Sequence, residues 1–530
     1  MIHNLSTLDI AIFSIYIVFI VILGVYLGKR KGGSKNTKSY FLANNSLPWW
    51  AVGSGLIAAN ISAEQLIGTT GSSYAMGIAI ASWEWVAIPA ILIAAKWTVP
   101  YFIKHNINTM PEYLQRRYGQ GIRVLFAVFW VLVYVFINLT AVAYMGALSL
   151  QSIMGIPMFY GILGMMSVAL LYSYIGGFAS IAWTNFIQVA VLVIAGIITV
   201  TLSLQAVGDK LEATGLPDIL HSMMRAIPEH FHLVLAEDNP NYQYIPGAPG
   251  LFGGMWIICL FGWCFNQFIV QNALAAKSVR EAQKGLLFAA ALKLFMPVIL
   301  VAPGIAAFIL THDNAPLNPP DQAYPWLINT FIPIGFKGVV LAALAAAIIS
   351  TLSALLNSAA TLFVIDIYQC RIKPNADEQL CMKVAKLFMF AASLIVVTLA
   401  QALLEGFDQA YQFIQEFIGF IMPGMLCIFV FGIAWQRANA LGASTALFLS
   451  VGLSLIIKLL WPELPHLNRT ALVFLACVGN MLICAGFRQE SGSPAIIIRP
   501  RDQEYRSTSG FNIGSLGLLL SLFVTYSVFW

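Results

Sequence analysis

The chain has 530 residues, of which 59% are hydrophobic and only 10% charged, with a mean hydropathy of +0.81. A soluble domain carries about 25% charged residues, so the composition excludes a soluble enzyme or binding module and points to a polytopic membrane protein. The formal net charge of +5 is no nucleic-acid signal, because the basic residues fall in loops between apolar runs.

The N-terminus, Met-Ile-His-Asn-Leu-Ser-Thr-Leu-Asp, has no basic lead-in, so the first apolar run reads as a membrane span and not a cleaved signal. Runs of spanning length fall at 8–28, 48–75, 77–103, 122–153, 157–176, 181–205, 249–274, 281–312, 337–369, 379–402, 407–436, 439–459, 467–487 and 511–529. Numbered in chain order as spans 1 to 14, they predict an all-α architecture of about fourteen transmembrane helices.

The positive-inside rule checks this division. The loop after span 1 holds Lys29, Arg30, Lys31, Lys35 and Lys38 and no acid, which makes it cytoplasmic. Every second loop should then be basic. Lys104, Arg116, Arg117 and Arg123 follow span 3, Lys277, Arg280 and Lys284 follow span 7, and Arg371, Lys373, Lys383 and Lys386 follow span 9. Arg437 follows span 11, and Arg488, Arg499, Arg501 and Arg506 follow span 13. The short uncharged loop between spans 5 and 6 is the one exception. The alternate loops are poor in base, and the 206–248 segment is acidic. Both termini are therefore expected outside the plasma membrane, with 206–248 as an external segment and no soluble domain. The seven cysteines, Cys259, Cys264, Cys370, Cys381, Cys427, Cys477 and Cys484, lie mostly inside apolar runs and have no metal spacing or disulfide framework.

Span 2 is polar in its middle. Ala58-Ala-Asn60-Ile61-Ser-Ala-Glu64-Gln65 precedes Gly68, Thr69, Thr70 and Gly71. Irregular polar backbone survives in hydrocarbon only where protein buries it or it lines a wet cavity. A helix interrupted near the midplane is how secondary transporters offer carbonyls to a cation; a polar seam between helices is the other reading. Span 7 has a second interruption, with Gly253, Gly254, Gly262, Asn266-Gln267 and Gln271-Asn272. Span 2 enters from the cytoplasm and span 7 from outside, so spans 2–6 and 7–11 form two inverted units, 48–205 and 249–436. The segments 1–47 and 437–530 are peripheral, and the whole chain is one transporter domain.

Lys293 is the one base placed in a membrane interior, about 15 Å from the cytoplasmic edge at 1.5 Å per residue. A lysine there costs about 2.5–3.5 kcal/mol on insertion scales. Glu84 in span 3 and Gln415 and Glu416 in span 11 lie at depths that let Lys293, Glu84 and Gln415 converge. Charges and amides that pair one another and bind hydroxyls describe a site for a neutral polyhydroxy solute; the alternative is an ion pair that only holds the bundle. In span 9, Ser350 and Thr351 are adjacent hydroxyls near the midplane. Hydroxyls and carbonyls without carboxylates suit a monovalent hard cation better than Ca²⁺ or Mg²⁺, although such hydroxyls also bond back to their own helix.

With these residues in view, the chain resembles the sodium/solute symporter family, in particular its bacterial sodium–galactose (sodium/glucose) branch. Tyr40-Phe-Leu-Ala, Ser46-Leu-Pro-Trp-Trp-Ala-Val-Gly, Tyr174-Ile-Gly-Gly-Phe-Ala with Trp183-Thr-Asn-Phe-Ile-Gln, Ala275-Ala-Lys-Ser with Glu281-Ala-Gln-Lys-Gly, and Gly432-Ile with Arg437 and Gly442-Ala are similar to family segments. The resemblance implies a leucine-transporter-type fold with a five-helix inverted repeat and sodium-coupled uptake. It implies a sodium position at the carbonyls of Ala58 and Ile61 with Ala347, Ser350 and Thr351, where Thr351 stands for a serine. It implies a solute site of Gln65, Glu84, Cys259, Trp263, Gln267, Lys293 and Gln415, with gate positions Thr69, Trp83, Gly262 and Tyr411.

Several positions depart from the branch. Cys259 stands for a sugar-binding asparagine, Gly262 for a stacking tyrosine and Phe261 for its tyrosine neighbour. Ala87 stands for a serine, Thr69 for a gate methionine and Asn185 for an aspartate associated with sodium exit. A roomier, less polar pocket is expected, for a larger or differently substituted sugar or an inositol.

The expected function is sodium-coupled import of a sugar or polyol by alternating access. Sodium is the coupling ion, and no organic cofactor, nucleic acid or obligatory protein partner is expected beside the bilayer. A symporter for sialic acid, an amino acid or a carboxylate is the alternative. A channel would want repeated pore motifs or charged rings, and an enzyme would want a nucleophile–base set or metal cluster; neither is evident in the sequence.

Overall fold

The computed structural model describes residues 5–30, 45–61, 64–313, 315–404, 410–486 and 507–530. The basic stretches 31–44 and 487–506, and the side chains of Tyr411 and of 175–183, lie outside the described residues. Each of the fourteen apolar runs is mostly helical where it is described. Eleven stretches are long and apolar enough to cross a membrane, and Thr7–Leu23 and Met158–Leu171 are shorter apolar helices. Among the described residues the one bridge between extended segments joins Leu47 to Ala276.

Both expected interruptions are present. In span 2 the helix Trp49–Asn60 stops at Ile61, whose backbone is extended (φ −88°, ψ 98°). Helix resumes as a π-type turn over Glu64–Gly68 and continues as Thr69–Met76. In span 7 the helix Gly254–Cys264 gives way at Phe265 and Asn266, and Gln267–Leu274 comes next. The Asn266 side chain accepts from the Phe268 amide and so caps the new helix start, a favoured role for asparagine.

Spans 5 and 6 differ from expectation, because they form one helical run, Met158–Leu211, with no loop between them. A straight helix of 54 residues would be about 80 Å long, yet its two ends meet one segment, 309–329. Just before it, the Ser152 carbonyl accepts from the Asn329 side chain at 3.5 Å, while Lys210 reaches the Ile309 carbonyl at 2.6 Å and Asp313 at 3.0 Å. Its middle reaches two points one turn apart on span 9, through Ser173 on the Ser353 carbonyl and Asn185 on Ser350. The run therefore doubles back between Ser173 and Asn185, which accounts for the lack of a charged loop.

The two ends of the chain lie on one side of the bundle. Asp9 accepts from the amides of Gly335 and Gly338, at the start of span 9, both at 2.8 Å. The Phe529 carbonyl accepts from the Leu233 amide in the 206–248 segment at 2.7 Å. That segment also covers the outer end of span 2, where Asn241 and His230 bond the carbonyls of Ala75 and Tyr74, two of the carbonyls a helix leaves unpaired at its C-terminus.

The outer half of span 2 is docked on span 8, which is interrupted at Val301. Thr70 and Ser73 donate to the carbonyls of Leu300 and Val301 at 2.8 and 3.0 Å. Gly304 permits this approach, because a Cβ there would lie 2.2 Å from the Thr70 carbonyl oxygen. Gly304→Ala should therefore lower the melting temperature of the purified protein by several degrees, in line with an overpacking penalty of about 1–3 kcal/mol. Gly452→Ala, where a Cβ meets nothing within 4 Å, should leave it unchanged or raise it. Scanning fluorimetry of the two variants makes the comparison.

Candidate solute and cation site

The bundle encloses a cavity of about 170 Å³ lined from spans 2, 3, 4, 7, 8, 9 and 11. This is below the roughly 300–1,000 Å³ of pockets for drug-sized ligands and suits a compact solute. Its polar centre is a chain of side chains from four spans. Lys293 Nζ lies 2.6 Å from Glu84 Oε2, with both side chains almost fully buried. Gln65 Nε2 donates to Glu84 Oε1 at 2.5 Å, and the Lys293 ammonium lies 5.5 Å from the centre of the Trp263 ring.

Each member is positioned by its helix. Glu84 is in the first turn of Ser82–Ile93, where the helix dipole favours an anion. Gln65 is in the π-type turn just past the break, and Lys293 is in the body of Val279–Leu300. Each charge is held by the other, since a buried charge without a partner is strongly unfavourable.

Gln415, Cys259, Trp83 and Gly262 also line this cavity, as do Ala87, Asn60 and Asn138. Asn60 Oδ1, Asn138 Oδ1 and Trp83 Nε1 are buried without a hydrogen-bond partner. Buried polar atoms are normally paired, so these three are exceptions beside the cavity. Asn138 is not among the residues that the sequence singles out; its signal is a lone amide in the middle of span 4, within Phe-Ile-Asn-Leu-Thr.

The cation half lies beside this pocket. Trp49–Asn60 ends at the break, so its last carbonyls lack helical partners. Thr351 Oγ1 donates to one of them, that of Ala58, at 3.3 Å, and Thr351 also lines the cavity. Ala347, one turn earlier on span 9, and Ile61 are buried. The Ser350 hydroxyl donates to Asn185 Oδ1 at 2.6 Å. Donation leaves the Ser350 oxygen its lone pairs, so the hydroxyl still has acceptor capacity. A hydroxyl of span 9 and a carbonyl of span 2 thus meet next to the cavity, and among the described residues no cluster of His, Cys, Asp and Glu is set to bind a transition metal.

Two other expectations are placed differently. Gln267 does not line the cavity; its Oε1 accepts from the Met110 amide at 2.8 Å, because the break at Asn266 turns the next helix toward the helix Met110–Tyr118. Glu416, beside Gln415, pairs with Arg469 and Lys458 at 2.8 and 3.0 Å, on the flank where spans 12 and 13 pack. Thr69 is buried, with its hydroxyl unpaired, and is not among the lining residues.

Comparison with known proteins agrees with this geometry. Residues 40–450 match the Sodium:solute symporter family. The "Sodium/glucose cotransporter" of Vibrio parahaemolyticus is 40% identical, over 100% of this chain and 99% of its own. The "Sodium/myo-inositol cotransporter 2" of Mus musculus is 31% identical, over 86% of this chain and 70% of its own. Among solved structures, a Na⁺-coupled sialic acid symporter in a substrate-bound outward-open state superposes with a TM-score of 0.80 at 23% identity, over 93% of this chain and 99% of that one. That likeness shows a shared fold, the leucine-transporter type with two discontinuous helices. With the family match over most of its length and a relative at 40% identity from end to end, the chain belongs to the sodium:solute symporter family.

Proposed function

We propose that the protein imports a sugar or related polyol together with sodium by alternating access. It is read as a multi-pass protein of a bacterial inner membrane, with both termini outside and inverted repeats at 48–205 and 249–436. The observation that carries the solute reading is the buried chain Gln65–Glu84–Lys293 in the cavity wall. A charge pair that is already balanced, with amides around it, offers donors and acceptors to hydroxyls. A carboxylate solute would want an uncompensated cation, and Lys293 is compensated by Glu84. The names of the two relatives, a glucose and a myo-inositol cotransporter, agree with a polyol.

Sodium is bound by the carbonyls of Ala58 and Ile61 with the hydroxyls of Ser350 and Thr351, Ala347 allowing close approach. It joins span 2 to span 9 and thereby holds Gln65 against Glu84 on the other side of the break. The solute is carried unchanged. An ion biases the conformational equilibrium only by its differential affinity for the two states, and the coupling acts on sodium and solute reciprocally. Uptake into proteoliposomes with sodium or potassium outside, over labelled hexoses, polyols and acids, tests this reading. Transport of an acid in preference to every polyol, or equal transport in potassium, would overturn it.

Lys293→Ala and Glu84→Ala should each weaken solute affinity at least a hundredfold with the protein still inserted. Removing one partner of a buried pair leaves the other unpaired, typically a loss of about 3–5 kcal/mol. Solute binding to the purified variants measures it, and unchanged affinity would make the pair scaffold only.

Ser350→Ala should raise the sodium concentration for half-maximal uptake several-fold and lower apparent solute affinity, with much less effect at saturating sodium. Thr351→Ser, which keeps the oxygen, should be milder. A sodium titration of uptake at several solute concentrations checks both, and an unchanged sodium dependence in Ser350→Ala would remove the hydroxyl from the site.

A further inference from the structure

The cavity is chemically lopsided. Its hydrogen-bonding side chains include Gln65, Glu84, Lys293, Gln415, Asn60 and Asn138. Ala87, Cys259 and Gly262 line it as well. Ala87 is one turn after Glu84 in span 3, and Cys259 and Gly262 are one turn apart in span 7. Spans 3 and 7 pack together here, with Cys264 Sγ 3.6 Å from the Ala90 carbonyl oxygen. These three residues present a methyl group, a thiol that is only a weak donor, and a hydrogen atom. A Cβ built on Gly262 would meet nothing within 4 Å, so this strip is open as well as weakly polar.

A solute hydroxyl turned to the strip would exchange water for no comparable partner, which disfavours burial. A methyl group there would fill the space left at Gly262 and remove apolar surface from water. We propose that the preferred solute is a hexose ring with a methyl group in place of a free hydroxyl, a 6-deoxyhexose or a methyl glycoside, seated with its methyl over Ala87, Cys259 and Gly262. This rests on the reading of the cavity as a polyol site and goes further by naming the class of polyol. One methyl-sized group in an apolar pocket discriminates by about 10- to 200-fold, so at least a tenfold preference is expected.

The experiment is competition against a labelled hexose in sodium-loaded binding assays on the intact protein. Matched sets are compared: D-galactose, 6-deoxy-D-galactose and methyl galactoside, and the same three forms of D-glucose. The proposal expects one methyl-bearing member to bind at least tenfold more tightly than its parent, and the member that wins shows which ring position faces the strip. Ala87→Ser with Cys259→Asn, which restores polar partners, should bring that ratio to unity or reverse it. If that double variant does not fold, Cys259→Asn alone should shift the ratio in the same direction. Parent hexoses that bind at least as tightly as all their methylated forms, with sodium dependence intact, would overturn this inference and leave the proposed function standing. Failure of every polyol to bind in a sodium-dependent way would overturn both.

Discussion

The interruption of span 2 at Asn60–Ile61 is the constraint on which the site depends. In hydrocarbon each backbone polar group has to be paired within the protein, so a break in mid-membrane is tolerated only if something else serves its carbonyls. Thr351 serves that of Ala58 from span 9. The same break redirects the chain so that Gln65, a few residues later, reaches Glu84 on span 3. The proposed cation contacts and solute contacts are therefore two ends of one short stretch of backbone. The outer continuation of that stretch is fixed on span 8 by Thr70 and Ser73, the span that also supplies Lys293. Few residues are needed to connect the two ligands because the broken helix does the connecting.

The second break, in span 7, divides that span's work. Its outer part gives Cys259, Gly262 and Trp263 to the cavity wall. Past the break, Phe268 and Ile269 stay on the cavity wall, while Gln267 is bound to Met110 of the helix Met110–Tyr118. That helix is also fastened to span 11 by Arg117, which donates to the carbonyls of Gly432, Trp435 and Gln436, and to span 9 by Thr109 on Asp366. One short helix thus gathers the adjoining parts of spans 7, 9 and 11, three of the spans that line the pocket.

How much of the site is legible in the sequence depends on the kind of signal each residue gives. Lys293 and Glu84 are legible because an interior charge is costly in a membrane, so each demands a partner and few partners exist. The two breaks are legible because polar residues interrupt otherwise apolar runs. Glu416 is not, because depth along a span says nothing about which way a side chain faces; Arg469 and Lys458 read as loop residues, and only packing brings spans 12 and 13 against it. Gln267 misleads for a related reason, since the turn at Asn266 changes the direction of the helix that carries it. Asn138 is hidden because a neutral amide in a membrane helix usually reads as part of a helix seam. The loop expected between spans 5 and 6 is a helical corner; its lack of charge is visible in the sequence, but not its backbone form.

The pairing of Glu84 with Lys293 has an electrical consequence. Two opposite unit charges 2.6 Å apart make a solute pocket with no net charge, and a neutral solute adds none. When the bundle rearranges around an empty pocket, those two groups move together and perform almost no net work against the membrane field. One elementary charge carried through 100 mV corresponds to about 2.3 kcal/mol, and in this pocket that work falls on the cation alone. In the proposed cycle the membrane voltage therefore drives the loaded step and leaves the return of the empty pocket nearly indifferent to it.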